Sequence, residues 1–339
     1  MTRTSPDFLR AQAERLETEP QSRIMEAIPA FSEAEVHRLS DTPPAGAKVH
    51  PLVFNMERGV TLDASLEYLR LCPQLQPFDL ILANELDDGC SRSGRRDVAR
   101  EVAEALHMDY VFGLEFIELN DPDCGRHGNA IFSLWPILWA EILRLPEEYN
   151  WFFDRQKRIG GRCAVFAKLD ICGQAVGVVS THLENRTDGA GRQRQMQAVL
   201  DEADRVFPDI PVIVGGDLNT NTFDGRNVVE ISRLADDPAL LEARIAQIGR
   251  YEPLMTACAA RGYTAVSGDG MTRRKPLPQG GYLALCLDWI LPRGFSVQNS
   301  RIVSTLTADC GFAPAAGALA GLRQKELSDH NVVWASLSL

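Results

Sequence analysis

Along most of the chain, short continuous apolar runs alternate with segments of helical spacing. Val49 to Asn55 and Asp79 to Glu85 are compact apolar runs that read as buried strands, each ending in polar groups. Between them, Thr61 to Leu71 carries Leu62, Leu66 and Leu69 on one helical face, and after a polar loop (Asp87 to Arg96) Val98, Val102, Ala105 and Leu106 mark an amphipathic helix. The middle turns to strands. Tyr110 to Leu119, Gly128 to Leu138, Arg162 to Ile171 and Ala175 to Leu183 are rich in β-branched and aromatic residues, with Cys172-Gly173 as a two-residue hairpin turn. Asp188 to Phe207 returns to helix, with Met196, Val199, Leu200, Ala203 and Val206 in register. From Pro211 to Thr220, the run Val212-Ile213-Val214 enters through a proline and ends in Gly215-Gly216, so a buried strand delivers Asp217 and Asn219 to its carboxyl end. Two apart on an extended chain, those side chains point the same way, and the glycines leave room for a group beside the carboxylate. Val228 to Ala246 and Glu252 to Ala260 have helical patterns, and Leu285 to Leu291 and Asn331 to Leu339 are the last strands.

Antiparallel strand clusters in the middle, with helices between strands in the first and last thirds, predict two packed sheets with helices outside: an α/β/β/α sandwich of two mostly antiparallel sheets. Residues 1 to about 48 are charged and helix-prone up to a break at Thr42-Pro43-Pro44-Ala45-Gly46, which predicts an N-terminal helical extension (1–48) before one domain (49–339). Phe8, Leu9, Ala13, Leu16, Ile24, Ala27 and Ile28 give that extension an apolar face for packing on the domain. No period of 20 to 50 residues repeats.

Composition narrows the function classes. A formal charge of −11 argues against coating nucleic acid by bulk electrostatics, while leaving a local basic groove open. The eight cysteines have no Cys-x-x-Cys pair, and their spacing suits neither a disulfide scaffold nor a zinc site. Reduced thiols, the absence of an apolar export segment at the start of the sequence, and the lack of any membrane-length apolar run predict a cytoplasmic protein without a membrane span. No obligate protein partner is evident.

Polar residues recur where apolar runs end: Asn55, Glu85, Asn129, His182, Asp217 with Asn219, Asp288, and Asp329-His330. Carboxylates and amides without cysteine form a hard oxygen set suited to Mg²⁺ or Mn²⁺. Histidines beside such a set can donate to phosphoryl oxygens as charge builds up on them.

The order of these motifs resembles the endonuclease/exonuclease/phosphatase superfamily, the deoxyribonuclease I-like group, over about 49 to 339. The resemblance implies the four-layer sandwich already read from patterning. It also implies roles: Glu85 as main metal ligand with Asn55, and Asp329 as a further or water-mediated one; Asp217 orienting or deprotonating the attacking water, helped by Asn219; His330, kept protonated by Asp288, on the scissile phosphate; His182 and Asn129 on its other oxygens. Glu57 and Glu184 stand next to motif residues and are secondary candidates for the metal. His127 is ambiguous, and His37, His50 and His107 have no motif around them.

Basic clusters flank the motifs. Arg92, Arg95 and Arg96 follow Glu85; Arg155, Lys157, Arg158 and Arg162 precede a strand; Arg186, Arg192 and Arg194 follow His182; Arg273, Arg274 and Lys275 precede Asp288. Arg92, Arg192 and Arg273 are taken as the representatives that bind substrate. The expectation is a metal-dependent phosphoesterase acting on a phosphate ester, possibly nucleic acid, with a phosphodiester preferred to a phosphomonoester such as a small phosphorylated metabolite or phospholipid head group. A catalytically silent binding module on the same fold is the rival of another class. A dinucleotide-binding oxidoreductase is excluded, because no Gly-x-Gly-x-x-Gly follows a strand.

Overall fold

Leu52 and Phe54 face one side of their strand and Val53 the other, and all three are buried, which is why this stretch is apolar without alternation. The computed structural model describes residues 4–40, 43–268, 270–277, 280–310, 317–320, 322 and 325–339. In it the Pro51–Arg58 strand lies in the middle of a nine-stranded sheet. Across that sheet run Glu35–His37, Asp109–Glu118, Arg126–Ser133, Leu80–Asp88, Pro51–Arg58, Val332–Ser338 and Ser296–Val303, with Lys48–Val49 and Arg158–Gly160 attached to the side. The second sheet has five strands in the order Asp288–Arg293, Val212–Asp217, Gln174–Thr181, Cys163–Ile171 and Ile137–Arg144.

Two neighbouring pairs are parallel, and each is joined through a helix. Leu62–Leu71 links Pro51–Arg58 to Leu80–Asp88, and Gly189–Val206 links Gln174–Thr181 to Val212–Asp217. The remaining ladders are antiparallel, as predicted. Val53, Leu82, Val165, Val178 and Ile213 fill the space between the sheets. Leu62–Leu71 and Val98–Leu106 cover the outer face of the large sheet, and Gly189–Val206 with Pro253–Ala260 that of the small one. These are the four layers of an α/β/β/α sandwich, and the carboxyl ends of both parallel pairs open on one edge of it.

Several elements differ from the sequence reading. The Gly128 to Leu138 run breaks at Leu134-Trp135-Pro136, where the chain leaves one sheet for the other; Ser133 Oγ takes up the freed Trp135 N–H at 2.9 Å. The Val228 to Ala246 helix is two, Val228–Asp236 and Pro238–Ala246, separated where Asp237 caps Leu240 N ahead of Pro238. Leu285 to Leu291 splits between a Tyr282–Leu285 hairpin partner of Arg273–Pro276 and the Asp288–Arg293 sheet strand. Ser296–Val303 escapes notice because it is an edge strand with little burial. The Cys172-Gly173 turn is present, with φ of 54° and 87°, as a primed turn demands.

Helices Pro6–Arg15 and Gln21–Glu26 pack Leu9, Leu16, Ile24 and Ile28 against Leu114, Ile117 and Ile159. The extension is more than an arm, since Glu35–His37 adds an edge strand to the large sheet. Of the predicted break, Thr42 lies outside the described residues. The seven cysteines whose side chains are described are free thiols. No helix among the described residues is long and apolar enough to cross a membrane.

Candidate active site

At Gly215 a Cβ would meet Leu82 Cδ1 at 2.7 Å and Trp289 O at 2.9 Å; at Gly216, where φ is +139°, it would meet Thr181 O at 1.9 Å. Only glycine lets the Val212–Asp217 strand run this close to its neighbours, and the close approach sets the depth of Asp217. The carboxylate of Asp217 is 1% exposed and central to the polar cluster. Its Oδ2 accepts from Asn55 Nδ2 at 3.1 Å and lies 3.4 Å from His182 Nε2 and 3.6 Å from His330 Nε2. Asn219 does not continue the strand as expected. It sits at φ 49° in a turn, where its N–H donates to Asp217 Oδ1 at 3.0 Å and its Nδ2 to Leu183 O at 2.8 Å.

The two histidines are held differently. His330 Nδ1 is 2.8 Å from Asp288 Oδ2, and Nε2 has no hydrogen-bond partner. Burial alone would push the His330 imidazolium down, but Asp288 and Asp217 outweigh it and lift it to about 9. His182 Nδ1 faces Arg162 Nη1 at 2.8 Å, with Glu115 Oε2 at 3.6 Å. A guanidinium only donates, so its nearer contact assigns the His182 ring proton to Nε2, toward Asp217.

Three carboxylates form a second group. Glu57 (φ 44°) and Glu85 (φ 55°) sit at irregularities in the adjacent Pro51–Arg58 and Leu80–Asp88 strands, which re-aim both side chains out of the ladder. Asp329 N donates to Glu57 Oε2 at 3.0 Å, and Asn55 Oδ1 accepts from Glu57 N at 3.1 Å. Burial and then the charges of Asp329 and Glu85 raise the Glu57 carboxyl. Burial would raise Glu85 as well, but His182, His127, Arg58 and His330 hold it well below the usual range. Glu57, Glu85, Asp329 and the Asn55 carbonyl are hard oxygen donors, and this crowding suits a divalent cation. Among the described residues, the group of acidic and histidine side chains whose ligand atoms all lie within 4.8 Å of one another is Asp217, Asp288 and His330, although the Nδ1 face of His330 is committed to Asp288.

Of the other predicted residues, Arg273 is at the cavity, and Asn129, Arg192, Arg92 and Glu184 are engaged elsewhere. Asn129 is fully buried, with Oδ1 accepting from Asn84 Nδ2 at 3.0 Å and Nδ2 donating to Cys163 O at 3.4 Å. It stands behind the site and reaches Asp217 only through Asn84, whose Oδ1 accepts from Asp217 N at 2.7 Å. The proposed ligand role of Arg192 is corrected: it has no exposed surface and forms a bidentate pair with Glu252 at 2.6 and 2.9 Å. Arg92 likewise spends its guanidinium on Asp87 and Glu118. Arg273 lines the cavity and meets Asp329 at 2.6 Å. Glu184 is buried and engaged by Trp151 Nε1 and Arg162 Nε, which removes it from the metal set.

Sequence reasoning missed Asn84, Glu115 and the pairing of Arg162 with His182. Polar residues inside otherwise apolar strands were the available signal. His127, previously ambiguous, pairs with Asp87 at 2.8 Å and lines the same cavity as Glu85. That cavity measures about 680 Å³ and is also lined by Glu57, Asn219, Arg273 and Asp329.

A family model described as "Endonuclease/Exonuclease/phosphatase family" matches residues 52–330. The chain belongs to the endonuclease/exonuclease/phosphatase family. Members of this family are typically hydrolases of phosphoester bonds. Among solved structures with the same fold is an endonuclease/exonuclease/phosphatase from Beutenbergia cavernae, at 18% identity and TM-score 0.54, covering 87% of this chain and 72% of that one. The human Nocturnin catalytic domain with bound sulfate anion is 14% identical with TM-score 0.53, covering 91% and 98%. The mannosyl-6-phosphatase of Bacteroides thetaiotaomicron is 13% identical with TM-score 0.55, covering 86% and 100%. No curated protein matches the chain.

Proposed function

We propose that this family member is a divalent-metal-dependent phosphoesterase that cleaves a P–O bond by in-line attack of water. The observation that carries the reading is the Asp217 carboxylate lying within 3.6 Å of two imidazole Nε2 atoms, one of which belongs to a ring ion-paired to Asp288. Asp217 receives the proton of the attacking water, with its carboxylate oriented by Asn55 and by the Asn219 N–H. His330 is cationic through the neutral range and has Nε2 free to donate to a phosphoryl oxygen, where negative charge gathers in the transition state. His182 offers Nε2–H from the other side, its ring fixed by Arg162. Glu57, Glu85, Asp329 and Asn55 would hold Mg²⁺ or Mn²⁺, which supplies Lewis-acid polarisation of the phosphoryl group when bound.

The preferred substrate in this proposal is a phosphodiester. The 680 Å³ cavity falls in the range of roughly 300–1,000 Å³ found for small-molecule sites, which supports a compact phosphorylated group as the part of the substrate held there. A silent binding module is disfavoured because His182 Nε2 and His330 Nε2 converge on Asp217 Oδ2 at 3.4 and 3.6 Å, an arrangement that a mere scaffold has no use for. The test is hydrolysis of bis-p-nitrophenyl phosphate beside p-nitrophenyl phosphate with Mg²⁺, Mn²⁺ or EDTA, for wild type and Asp217→Asn. Metal-dependent turnover lost in the variant supports the proposal, and the preferred ester separates diesterase from monoesterase. Turnover that persists in EDTA would refute it.

A further inference from the structure

Beyond the acidic floor, the cavity is lined by cations from three separate segments: Arg155 after the Trp151–Phe153 turn, Arg186 in the loop after His182, and Lys275 in the Arg273–Pro276 strand. Arg155 and Lys275 make no ion pair among the described residues. Arg186 has only a 3.6 Å contact with Asp154, a carboxylate already engaged by Tyr149 Oη at 2.8 Å and Gln156 N at 3.1 Å. Its guanidinium stands about 6 Å from the Trp151 and Tyr149 rings, at 5.9 and 6.0 Å, which restricts where the charge can go.

Lys275 shows how crowded this wall is. Its Nζ lies 5.6 Å from the Phe223 ring centre. Burial lowers the ammonium to about 8, and the nearby charges of Arg273 and Arg186 push it the same way. Like charges brought together along a partly desolvated wall, as Lys275 is with Arg273 and Arg186, oppose one another. An anionic ligand reverses the sign of that contribution. None of the three is needed to explain the groups around Asp217, which have His330, His182 and the carboxylate set at hand.

We propose that Arg155, Arg186 and Lys275 form a second anion subsite, which takes a phosphate group of the substrate other than the one cleaved. The preferred substrate is then a small ester bearing at least two phosphate groups on one compact scaffold. This rests on the phosphoesterase reading for the meaning of "the one cleaved", but the subsite itself is a binding property and is measurable without turnover.

The experiment is calorimetric titration of the full chain carrying Asp217→Asn, in Mg²⁺, with adenosine 5′-monophosphate against adenosine 3′,5′-bisphosphate, and with inositol 1-phosphate against inositol 1,4-bisphosphate. On at least one scaffold the bisphosphate should bind about tenfold tighter or more, the scale of one charge-assisted contact. Adding Lys275→Ala or Arg155→Ala should reduce that ratio to about twofold or less, and Lys275→Arg should retain most of it. Equal binding of mono- and bisphosphates on both scaffolds overturns the subsite, as does a ratio that survives both alanine substitutions. Turnover of the p-nitrophenyl esters by wild type is read separately. Discrimination without turnover keeps the subsite and sinks the hydrolytic reading, and turnover without discrimination does the reverse.

Discussion

Asp288 Oδ2 holds His330 Nδ1 at 2.8 Å across 42 residues of sequence, inside a site where both side chains are fully buried. The pair makes stability depend on pH with a definite sign. His330 titrates near 6.5 when unfolded and at about 9 when folded, so its contribution is complete below about pH 6.5 and is lost as pH rises through 9. The loss is on the order of 3 kcal/mol at most. Urea unfolding in EDTA at pH 6, 7.5 and 9.5 should show wild type losing stability across that window and Asp288→Asn losing far less; parallel pH dependences would rule the pairing out as the cause.

Metal binding should register as stability. Among Glu57, Glu85 and Asp329 a divalent cation offsets the burial and the acidic charges that raise the Glu57 carboxyl, and a ligand that prefers the folded state raises the melting temperature. Melting curves with millimolar Mg²⁺ or Mn²⁺ should lie several degrees above those in EDTA for wild type. Glu85→Gln should abolish most of that difference. An equal shift in the variant would move the metal elsewhere, with the Asp217, Asp288 and His330 group next in line.

Arg192 is predicted to matter for folding alone. Arg192→Met leaves Glu252 buried without its guanidinium, a loss of about 3–5 kcal/mol by the usual cost of breaking a buried pair. Denaturant midpoints should fall accordingly, while KM of whatever protein remains folded should match wild type. A raised KM with normal stability would return Arg192 to the substrate site.

Gly216→Ala tests the depth of Asp217. The added methyl would lie 1.9 Å from Thr181 O and 2.9 Å from Asn84 Oδ1, at a φ of +139° that alanine resists. Stability should drop by roughly 2–4 kcal/mol, and turnover should fall further than the folded fraction does, because Asn84 also holds Asp217 N. Wild-type turnover per folded molecule would show that the close approach has no bearing on the site.

The strand ends carrying Asn55, Glu85, His182, Asp217, Asp288 and Asp329-His330 were legible in the sequence, and so was the layered sandwich, because buried strands and amphipathic helices leave local periodicities. What surrounds those residues was not. Asn84 reaches Asp217 across 133 residues and Arg162 reaches His182 across 20, and no local pattern encodes which polar side chain inside an apolar strand meets which. The positive φ of Glu57, Glu85 and Asn219 likewise comes from bulges and a turn set by neighbouring strands. Arg192 and Lys275 make the same point for charge. In the sequence each is one cation in a basic cluster; packing buries the first against Glu252 and leaves the second in the cavity without an acid partner among the described residues. The sequence determined which chemical groups stand at the ends of the strands, because that is written in short-range pattern. The tertiary structure decided which charges are neutralised and which are left for a ligand, because electrostatic balance depends on distance in space and on exclusion of water.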